Sequence, residues 1–374
     1  MKNRFLFLVG IGALLAMSSC SKDEENLVVK SGEPATLSLT IKGSDLSTKA
    51  TVLPGDLTTA GVGFDNTITR VTVGLFKQDA NGTTDVIQEG TLDNNKIEVK
   101  GSIVGTDASR DIVVVANANS GDFKGCSNKS AFLATIMNLT QDRTLLPMVG
   151  TSSGVLTKVR NTGTTGDGLA SVVVTRLVAR VQLVSLKTAF DLAGQYPNAK
   201  FTATQIFMFN AVDKLTAGEA VVPTAQFLDG RTYKEGTSPV VYPLLDPVNQ
   251  EFPTVGEYKG INYFYTFPNG LDAPNYAKST RLVIGGTFDP DGGGPANGIP
   301  TYYPVIVNYF ANPTAAQIPA NGYNNGIVKN TIYSISVTIK NKGVDSPDII
   351  IDPGYLDVSV TVAPWLSNDQ SVDF

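Results

Sequence analysis

The 374-residue chain contains no histidine. Imidazole is the commonest general base in enzymes and the commonest protein ligand of metals, so catalytic triads built on it and histidine-based metal sites are excluded. The carboxylates are scattered over predicted loops, and no pair of them stands out as the acid and base of a glycosidase. We therefore predict that the protein is not an enzyme, and the sequence indicates no cofactor and no metal site.

Cysteine is almost as rare, with two residues in the chain, Cys20 and Cys126. Cys20 is assigned to a lipid below, which leaves Cys126 without an intramolecular partner, so we do not expect disulfide bonds to stabilise the fold. Lys124 and Lys129 lie close to Cys126 in the sequence, but there is no histidine to activate its thiol. We interpret Cys126 as a free, partly buried thiol.

Charge is also sparse. Charged residues make up 17% of the chain and the net charge is −5. Proteins that bind nucleic acid need clustered lysines and arginines to contact phosphates, and the sequence has no cluster of that kind. We therefore do not expect nucleic acid among the partners.

The chain is rich instead in residues that are typical of strands and turns. It has 36 glycines, 20 prolines, 17 phenylalanines and 13 tyrosines, and hydrophobic residues make up 42% of its length. Aromatic residues favour strands, whereas glycine and proline favour turns over long helices. We predict an all-β protein that is long enough for two or three domains.

Strand candidates recur from about residue 69 onward, with turn signals between them. They are residues 69–77, 111–119, 171–186, 202–211, 261–270, 281–288, 302–310 and 332–340. Segment 157–170 is rich in threonine and glycine and lacks large apolar residues, which favours a domain boundary there. The pattern predicts two β-sandwich domains, residues 50–168 and 169–354, with long loops at 212–260 and 288–300 in the second.

Two segments of the body are less typical of a sandwich. In residues 128–139, Phe132, Ile136 and Leu139 have helical spacing, which predicts a short helix packed over an edge of the first domain. In the loop 288–300, Asp289 and Asp291 stand near three glycines, as in a calcium-binding loop. The regular ligand spacing and the closing glutamate of such loops are missing, so we favour a plain turn.

The amino terminus has the features of a secretory signal. Lys2 and Arg4 precede an apolar stretch, and small residues precede Cys20, as in the lipobox of bacterial lipoproteins. We predict a signal peptide over residues 1–19 and a lipid on Cys20. The alternative is an ordinary signal peptide that is cleaved elsewhere.

A short charged segment, residues 21–26, follows Cys20 and is interpreted as a flexible tether. After it come a strand and an exposed loop. Four apolar residues alternate with polar ones, as expected of a half-buried strand: Ala35, Leu37, Leu39 and Ile41. The polar loop that follows contains Lys49 and then the small Ala50, so a trypsin-like protease could cut between them. The alternative is an ordinary surface lysine.

The carboxyl terminus, residues 355–374, contains a second strand of the same kind. Its apolar residues also number four at period two, and Trp365 follows them: Leu356, Val358, Val360 and Val362. Chain ends are usually frayed, so a strand of this quality at the carboxyl terminus needs a reason. Trp365 could anchor a docked strand or pack on its own domain.

These motifs, in this order, resemble the fimbrillins, the FimA-type (Mfa-like) major subunits of the type V pili of Bacteroidia. The resemblance runs through most of the chain. It rests on the lipoprotein signal, the Lys-Ala loop after the first strand, LPMVG (146–150), TRLVARVQL (175–183), YFYTFPN (263–269) and the terminal strand followed by PW.

The resemblance implies a fold and a route of assembly. It implies transthyretin-like β-sandwiches with Greek-key-type strands, export as a lipoprotein to the outer membrane, and cleavage by a trypsin-like Arg/Lys-specific surface protease. Residues 20–49 would then be a removable propeptide, whose loss opens a groove that the carboxyl-terminal strand of another copy fills. Such a protein would be a structural shaft subunit of a cell-surface pilus that supports adhesion or biofilm formation, and its partners would be other copies of itself and accessory subunits.

Two other functions remain open at this point. The protein could be a tip or anchor subunit of the same kind of pilus. It could also be a monomeric surface lipoprotein that binds a glycan or a host ligand, with the aromatic segment 261–269 as a sugar platform.

Overall fold

The computed structural model describes residues 34–43, 64–103, 109–156, 168–233, 244–252, 255–258, 262–272, 276–309, 326–350 and 356–364. Nearly all regular structure in these ranges is β-strand, so the prediction of an all-β fold is confirmed. No helix in these ranges has the length and apolar character needed to cross a membrane.

Nineteen strands and one α-helix are present in the described ranges. In chain order the elements are β1 (Pro34–Gly43), β2 (Val71–Lys77), β3 (Thr84–Gly90), β4 (Lys96–Ser102), β5 (Ser109–Ala116), α1 (Lys129–Leu133), β6 (Ile136–Asn138), β7 (Met148–Val155), β8 (Gly168–Arg176), β9 (Ala179–Ala189), β10 (Lys200–Val212), β11 (Lys214–Thr216), β12 (Phe227–Asp229), β13 (Leu245–Phe252), β14 (Val255–Tyr258), β15 (Asn262–Thr266), β16 (Arg281–Asp289), β17 (Ile299–Ile306), β18 (Thr331–Ile339) and β19 (Leu356–Pro364).

The first sheet has seven strands in the order β3-β2-β5-β7-β8-β1-β4. Its edge strands, β3 and β4, contact each other through side chains, since Gln88 Nε2 on β3 donates to the Glu98 carbonyl on β4 at 2.8 Å. Two edges of one sheet can meet only if the sheet curves round onto itself. An apolar core fills the space between its two halves, with Val73, Val99 and Ile112 fully buried in it.

The second half of the chain forms two five-stranded sheets. One has the order β12-β10-β16-β17, with β13 also paired to β10, and the other has the order β14-β9-β18-β19, with β15 also paired to β9. A large core packs against both of them and continues to Phe76 and Phe132 beside the first sheet. One apolar core therefore joins the first half of the chain to the second.

The predicted helix over residues 128–139 is shorter than expected. The helix α1 ends at Leu133, and residues 136–138 form β6, which pairs with β11 from the second half of the chain. Phe132 is buried as predicted, but Ile136 is 42% exposed. The helical spacing was misleading here because pairing with a distant strand determines the conformation of residues 136–138.

The structure also corrects two predicted segments. Residues 212–260 are not one long loop, since β11, β12, β13 and β14 lie within them. The candidate 171–186 is not one strand, because β8 belongs to the first sheet and β9 to another. The change of sheet lies at Leu177 and Val178, beyond the predicted division at residues 168 and 169. The division into two sandwich domains stays a prediction.

The aspartate-rich loop after β16 has the hydrogen bonds of a turn. The carboxylate of Asp289 accepts from the backbone N–H of Gly292 at 3.1 Å and of Gly294 at 2.9 Å. Such carboxylate-to-backbone bonds are typical of Asx turns. Among the described residues, no group of three or more acidic or cysteine side chains could hold a metal ion.

Candidate functional site

The first strand, β1, lies between two neighbours inside the curved first sheet. It pairs antiparallel with β4, with Leu39 opposite Ile97, and parallel with β8, with Leu39 beside Ala170. Because β1 has a ladder on each side, its removal would leave one unpaired edge on β4 and another on β8. We call the space that β1 fills between these two strands the slot. The predicted strand over residues 35–43 is thereby confirmed.

The four apolar residues of this strand face the core of the first sheet. Ala35 is 2% exposed, and Leu37, Leu39 and Ile41 are fully buried. The side chains between them are half-buried on the outer face. Burying three large aliphatic side chains contributes roughly 5–9 kcal/mol as an upper figure.

The neighbours of Leu37 are small, which gives its side chain room. A Cβ atom built at Gly154 or at Gly168 would lie 3.3 Å from Leu37 Cδ1, and at Gly168 it would also lie 1.8 Å from the Val155 carbonyl oxygen. Any side chain at Gly168 would therefore displace the backbone of β7. The absence of side chains at these two glycines leaves space between β7, β8 and β1 for one large side chain, which here is Leu37.

The terminal strand β19 lies at the edge of the sheet β14-β9-β18-β19 and pairs antiparallel with β18 over its whole length, from Leu356 opposite Ile339 to Pro364 opposite Thr331. Leu356 is buried, and Val358 and Val360 pack partly buried against the large core. Since β19 has one ladder partner among the described strands, its departure would break one ladder.

Some of the predicted site residues lie outside the described residues. They are Cys20, Lys49, Ala50 and Trp365. Val362 lies in β19, opposite Tyr333. Lipidation, cleavage and anchoring therefore remain predictions.

The described part of the aromatic segment, residues 262–269, is not a surface platform. Phe264, Tyr265 and Phe267 are all at most 3% exposed, and Tyr263 is half-buried. The alternation of tyrosine and phenylalanine belongs to the core strand β15 and its continuation. This observation removes the feature on which the sugar-binding interpretation depended.

A buried polar cluster that sequence reasoning missed lies where the first sheet meets the second half of the chain. Asp65, which precedes β2, accepts a hydrogen bond from the Tyr265 hydroxyl at 2.7 Å and lies 3.2 Å from Arg180 Nη1. Arg176 Nε, at the end of β8, donates to the Asp65 carbonyl oxygen at 2.9 Å. Gln141 exchanges two hydrogen bonds with the backbone of Tyr265. We call Asp65, Arg176, Arg180 and Tyr265 the junction cluster.

Burial dominates the electrostatics of the junction cluster. It raises the pKa of Asp65, although the Tyr265 hydroxyl and Arg180 act in the opposite direction. Burial also lowers the pKa of Arg176 to about 10, while the charge of Asp65 opposes this shift. Buried charges are expensive unless they are paired, and here the charges of Arg180 and Arg176 both act on the carboxylate of Asp65.

The motifs of the resemblance meet at this junction. TRLVARVQL contributes Arg176 and Arg180, and YFYTFPN contributes Tyr265 and also Tyr263, over whose ring the Arg180 guanidinium lies at 4.6 Å. The Pro147 carbonyl of LPMVG accepts from the backbone N–H of Leu177 at 2.8 Å. The sequence signal is the presence of two arginines in a largely apolar segment, one at the end of β8 and one in β9.

Comparisons with known proteins agree with this geometry. A family model described as "Major fimbrial subunit protein (FimA)" matches residues 35–184. That range begins in β1 and runs through the first sheet into β9. It contains both the slot of the first strand and the arginines of the junction cluster.

Two curated relatives are similar over the whole chain. The "Major fimbrium subunit FimA type-4" of Porphyromonas gingivalis is 27% identical over 416 aligned residues, which cover 99% of this chain and 99% of the relative. The "Major fimbrium subunit FimA type-5" of the same organism is 26% identical, again with 99% of both chains covered.

The fold is shared with a solved structure. A crystal structure of a fimbrilin from Porphyromonas gingivalis superposes with a TM-score of 0.60 at 20% sequence identity, covering 92% of this chain and 100% of that one. The structural likeness concerns the fold, and the sequence similarity extends over both halves of the chain. The chain therefore matches the FimA family model over residues 35–184 and is similar to major fimbrium subunits over its whole length.

Proposed function

We propose that the protein is a structural shaft subunit of a cell-surface fimbrium that takes part in cell adhesion. The matching family model and the curated relatives, which are major fimbrium subunits, support this function. The observation that carries the proposal is that β1 is enclosed in the first sheet while β19 lies at an edge of another sheet. A shaft subunit needs one slot that can accept a strand and one strand that can leave.

The two strands have matching patterns. Each presents four apolar residues at period two: Ala35, Leu37, Leu39 and Ile41 in β1, and Leu356, Val358, Val360 and Val362 in β19. A slip of one residue would turn every apolar side chain outward, so a replacement strand must keep the period and the register. In our proposal the terminal strand of one copy fills the slot that β1 vacates in the next copy.

Two contributions drive this exchange in our proposal. The backbone hydrogen bonds of an added strand supply affinity, and pockets for alternate side chains supply specificity. Burying the four apolar side chains of β19 contributes roughly 6–12 kcal/mol as an upper figure, from which ordering costs and the burial that Leu356 already has in its own sheet are subtracted.

The proposal includes the steps that precede exchange. The precursor is exported as a lipoprotein through Cys20 and is held at the outer membrane. A trypsin-like surface protease then cuts between Lys49 and Ala50, which frees β1 and the lipid together. In the uncut chain β1 fills its own slot, so the precursor stays a closed monomer.

The first test is the amino-terminal sequence and intact mass of the protein sheared from the cell surface, run beside an unheated denaturing gel. We expect a start at Ala50 and a ladder of detergent-resistant oligomers. A lipidated start at Cys20 with a single monomer band would instead support an anchored monomeric lipoprotein.

A substitution tests the cleavage site directly. We expect Lys49→Ala to abolish the ladder and to leave a lipidated precursor on the cell. Lys42→Ala is the matched control, because Lys42 is exposed but lies in β1 beside Val173 of β8, and a protease cannot accommodate a strand that is paired in this way. Normal ladders from Lys49→Ala would contradict cleavage at this bond.

A further inference from the structure

The edge strand β4 has an unusual dependence on the first strand. Within the described ranges, β4 forms a backbone ladder with β1 alone. The proposed function requires β1 to leave, and β4 would then have no ladder partner. An edge strand without a ladder detaches easily, and a detached β4 would destroy one wall of the slot.

Three sets of hydrogen bonds hold β4 without using its ladder with β1. At one end, a tight turn in the connection from β3 closes onto the start of β4, since Asp93 and Lys96 exchange backbone hydrogen bonds of 3.0 and 2.8 Å. Both residues between them, Asn94 and Asn95, have positive φ, as this turn requires. In the middle, Gln88 Nε2 donates to the Glu98 carbonyl oxygen at 2.8 Å.

The third contact is a buried ion pair at the other end of β4. The carboxylate of Asp85 on β3 accepts from the backbone N–H of Ser102 at 2.9 Å and from Arg110 Nε at 2.9 Å. Arg110 also donates to the Ser102 carbonyl oxygen. The side chains of Asp85 and Arg110 are each 2% exposed.

Both partners of this ion pair form hydrogen bonds with the backbone of Ser102. Asp85 satisfies the N–H of Ser102, and Arg110 satisfies its carbonyl. Ser102 lies opposite Pro34, and the hydrogen bond from the Ile41 N–H to the Asn95 carbonyl in the same register makes this a non-hydrogen-bonded pair of the β1–β4 ladder. The backbone N–H and C=O of Ser102 therefore face away from β1, where side chains of β3 and β5 bind them.

We propose that these contacts, which we call the β4 tethers, keep β4 in place while the slot is empty, so that the slot persists until another strand enters. The inference rests on the proposed exchange of the first strand and assigns Gln88, Asp85 and Arg110 as positioning residues for it. These side chains form no ladder hydrogen bonds with β1 or with the incoming strand. They act by keeping β4, which is one wall of the slot, in position.

The test uses the full chain with a sequence-specific protease site inserted after Lys49. After cleavage, the resident strand is released in mild denaturant and separated by gel filtration. The emptied protein is then titrated with a labelled peptide of residues 34–43, and hydrogen exchange of β4 is measured in the same sample.

Gln88→Met is the informative variant, because it keeps the length of the side chain and removes the donor. Gln78→Met is the matched control, since Gln78 also donates one side-chain hydrogen bond, but to Asp111 of β5 at 3.0 Å. Both intact variants should fold normally, because β1 still supplies the ladder of β4.

We expect the emptied Gln88→Met protein to bind the peptide about two- to tenfold more weakly than wild type, as the loss of one hydrogen bond predicts. Its β4 amides should exchange faster, and Gln78→Met should match wild type in both measurements. Equal peptide affinity in the two variants, or an unprotected β4 in emptied wild type, would overturn the inference. If emptied wild type binds the peptide but cleaved protein never oligomerises, the shaft proposal fails while the tethers stand.

Discussion

At the scale of single residues, one surface ion pair connects the helix α1 to the first sheet. Lys129 Nζ lies 2.8 Å from Asp111 Oδ2, and both side chains are about one third exposed. The hydrogen bond from Lys129 is the main reason that the pKa of Asp111 is lowered, and Gln78 adds to it. The pair stabilises the folded state only while Asp111 is ionised.

The sign of this effect follows from linkage. A carboxyl group whose pKa is lower in the folded state contributes stability above its unfolded pKa and loses it as the pH falls through the folded value. We expect Asp111→Asn to lower the free energy of unfolding by about 0.2–1 kcal/mol at neutral pH, as is usual for exposed pairs. The difference from wild type should disappear as the pH falls below 3.8, the ordinary value for Asp111.

Urea unfolding at several pH values measures this difference. Asp122→Asn is the control, because Asp122 is exposed and the substitution makes the same charge change. A gap between wild type and Asp111→Asn that stays constant down to pH 3 would show that the lost interaction does not depend on the charge of Asp111.

At the scale of secondary-structure elements, the sequence predicted strands where large apolar residues alternate and failed where packing dictates small or polar ones. The strands β1 and β18 were visible because every second side chain is buried. The start of β8 looked like a linker because it contains Gly168 and Ala170, yet Gly168 is small because Val155 and Leu37 leave no room for a side chain. The polar strand β13 lacks the alternation, so the sequence predicts a loop there.

The position of β19 leads to a prediction about strand exchange. Ser336 on β18 lies opposite Ser359 on β19. Side chains opposite each other in an antiparallel pair are close enough for a disulfide bond. In a Cys126→Ser background, we expect Ser336→Cys with Ser359→Cys to give a protein that is cleaved normally but stays monomeric when oxidised, and that forms oligomers after reduction.

The control for this experiment is a disulfide in a part of the fold that exchange leaves intact. Thr202 on β10 lies opposite Thr287 on β16, and both are half-buried. The pair Thr202→Cys with Thr287→Cys should form oligomers in either redox state. Oligomers from the oxidised β18–β19 pair would mean that β19 does not leave its own sheet.

At the scale of the whole molecule, we expect the junction cluster and the large core to make the two halves of the chain unfold as one cooperative unit. Its residues are 115 positions apart for Asp65 and Arg180, and 200 apart for Asp65 and Tyr265. No local sequence pattern relates positions so distant. The motifs could therefore be recognised in the sequence, but the contacts between them could not be predicted from it. The large core, which extends from Phe76 to β19, also couples the two halves.

Removing one hydrogen bond tests this coupling. Tyr265→Phe deletes the hydroxyl that donates to Asp65 and leaves a buried carboxylate with one donor fewer, so we expect a loss of about 1–3 kcal/mol in the free energy of unfolding. Tyr263→Phe is the control, because it keeps the ring over which Arg180 lies. Since Asp65 precedes β2 and Tyr265 lies on β15, hydrogen exchange should accelerate in both sheets together.

The same variant has a signature in alkaline solution. Burial raises the pKa of Tyr265 above its ordinary value of 10.0, so the folded state resists ionisation of this hydroxyl. A raised pKa contributes stability that is fully present below pH 10 and is lost as the pH rises above it, because the unfolded chain releases the proton first. The stability of Tyr265→Phe should therefore fall less steeply than that of wild type above pH 10. If the variant loosened one sheet alone and kept the alkaline slope of wild type, the junction cluster would be a local contact and the two halves would unfold independently.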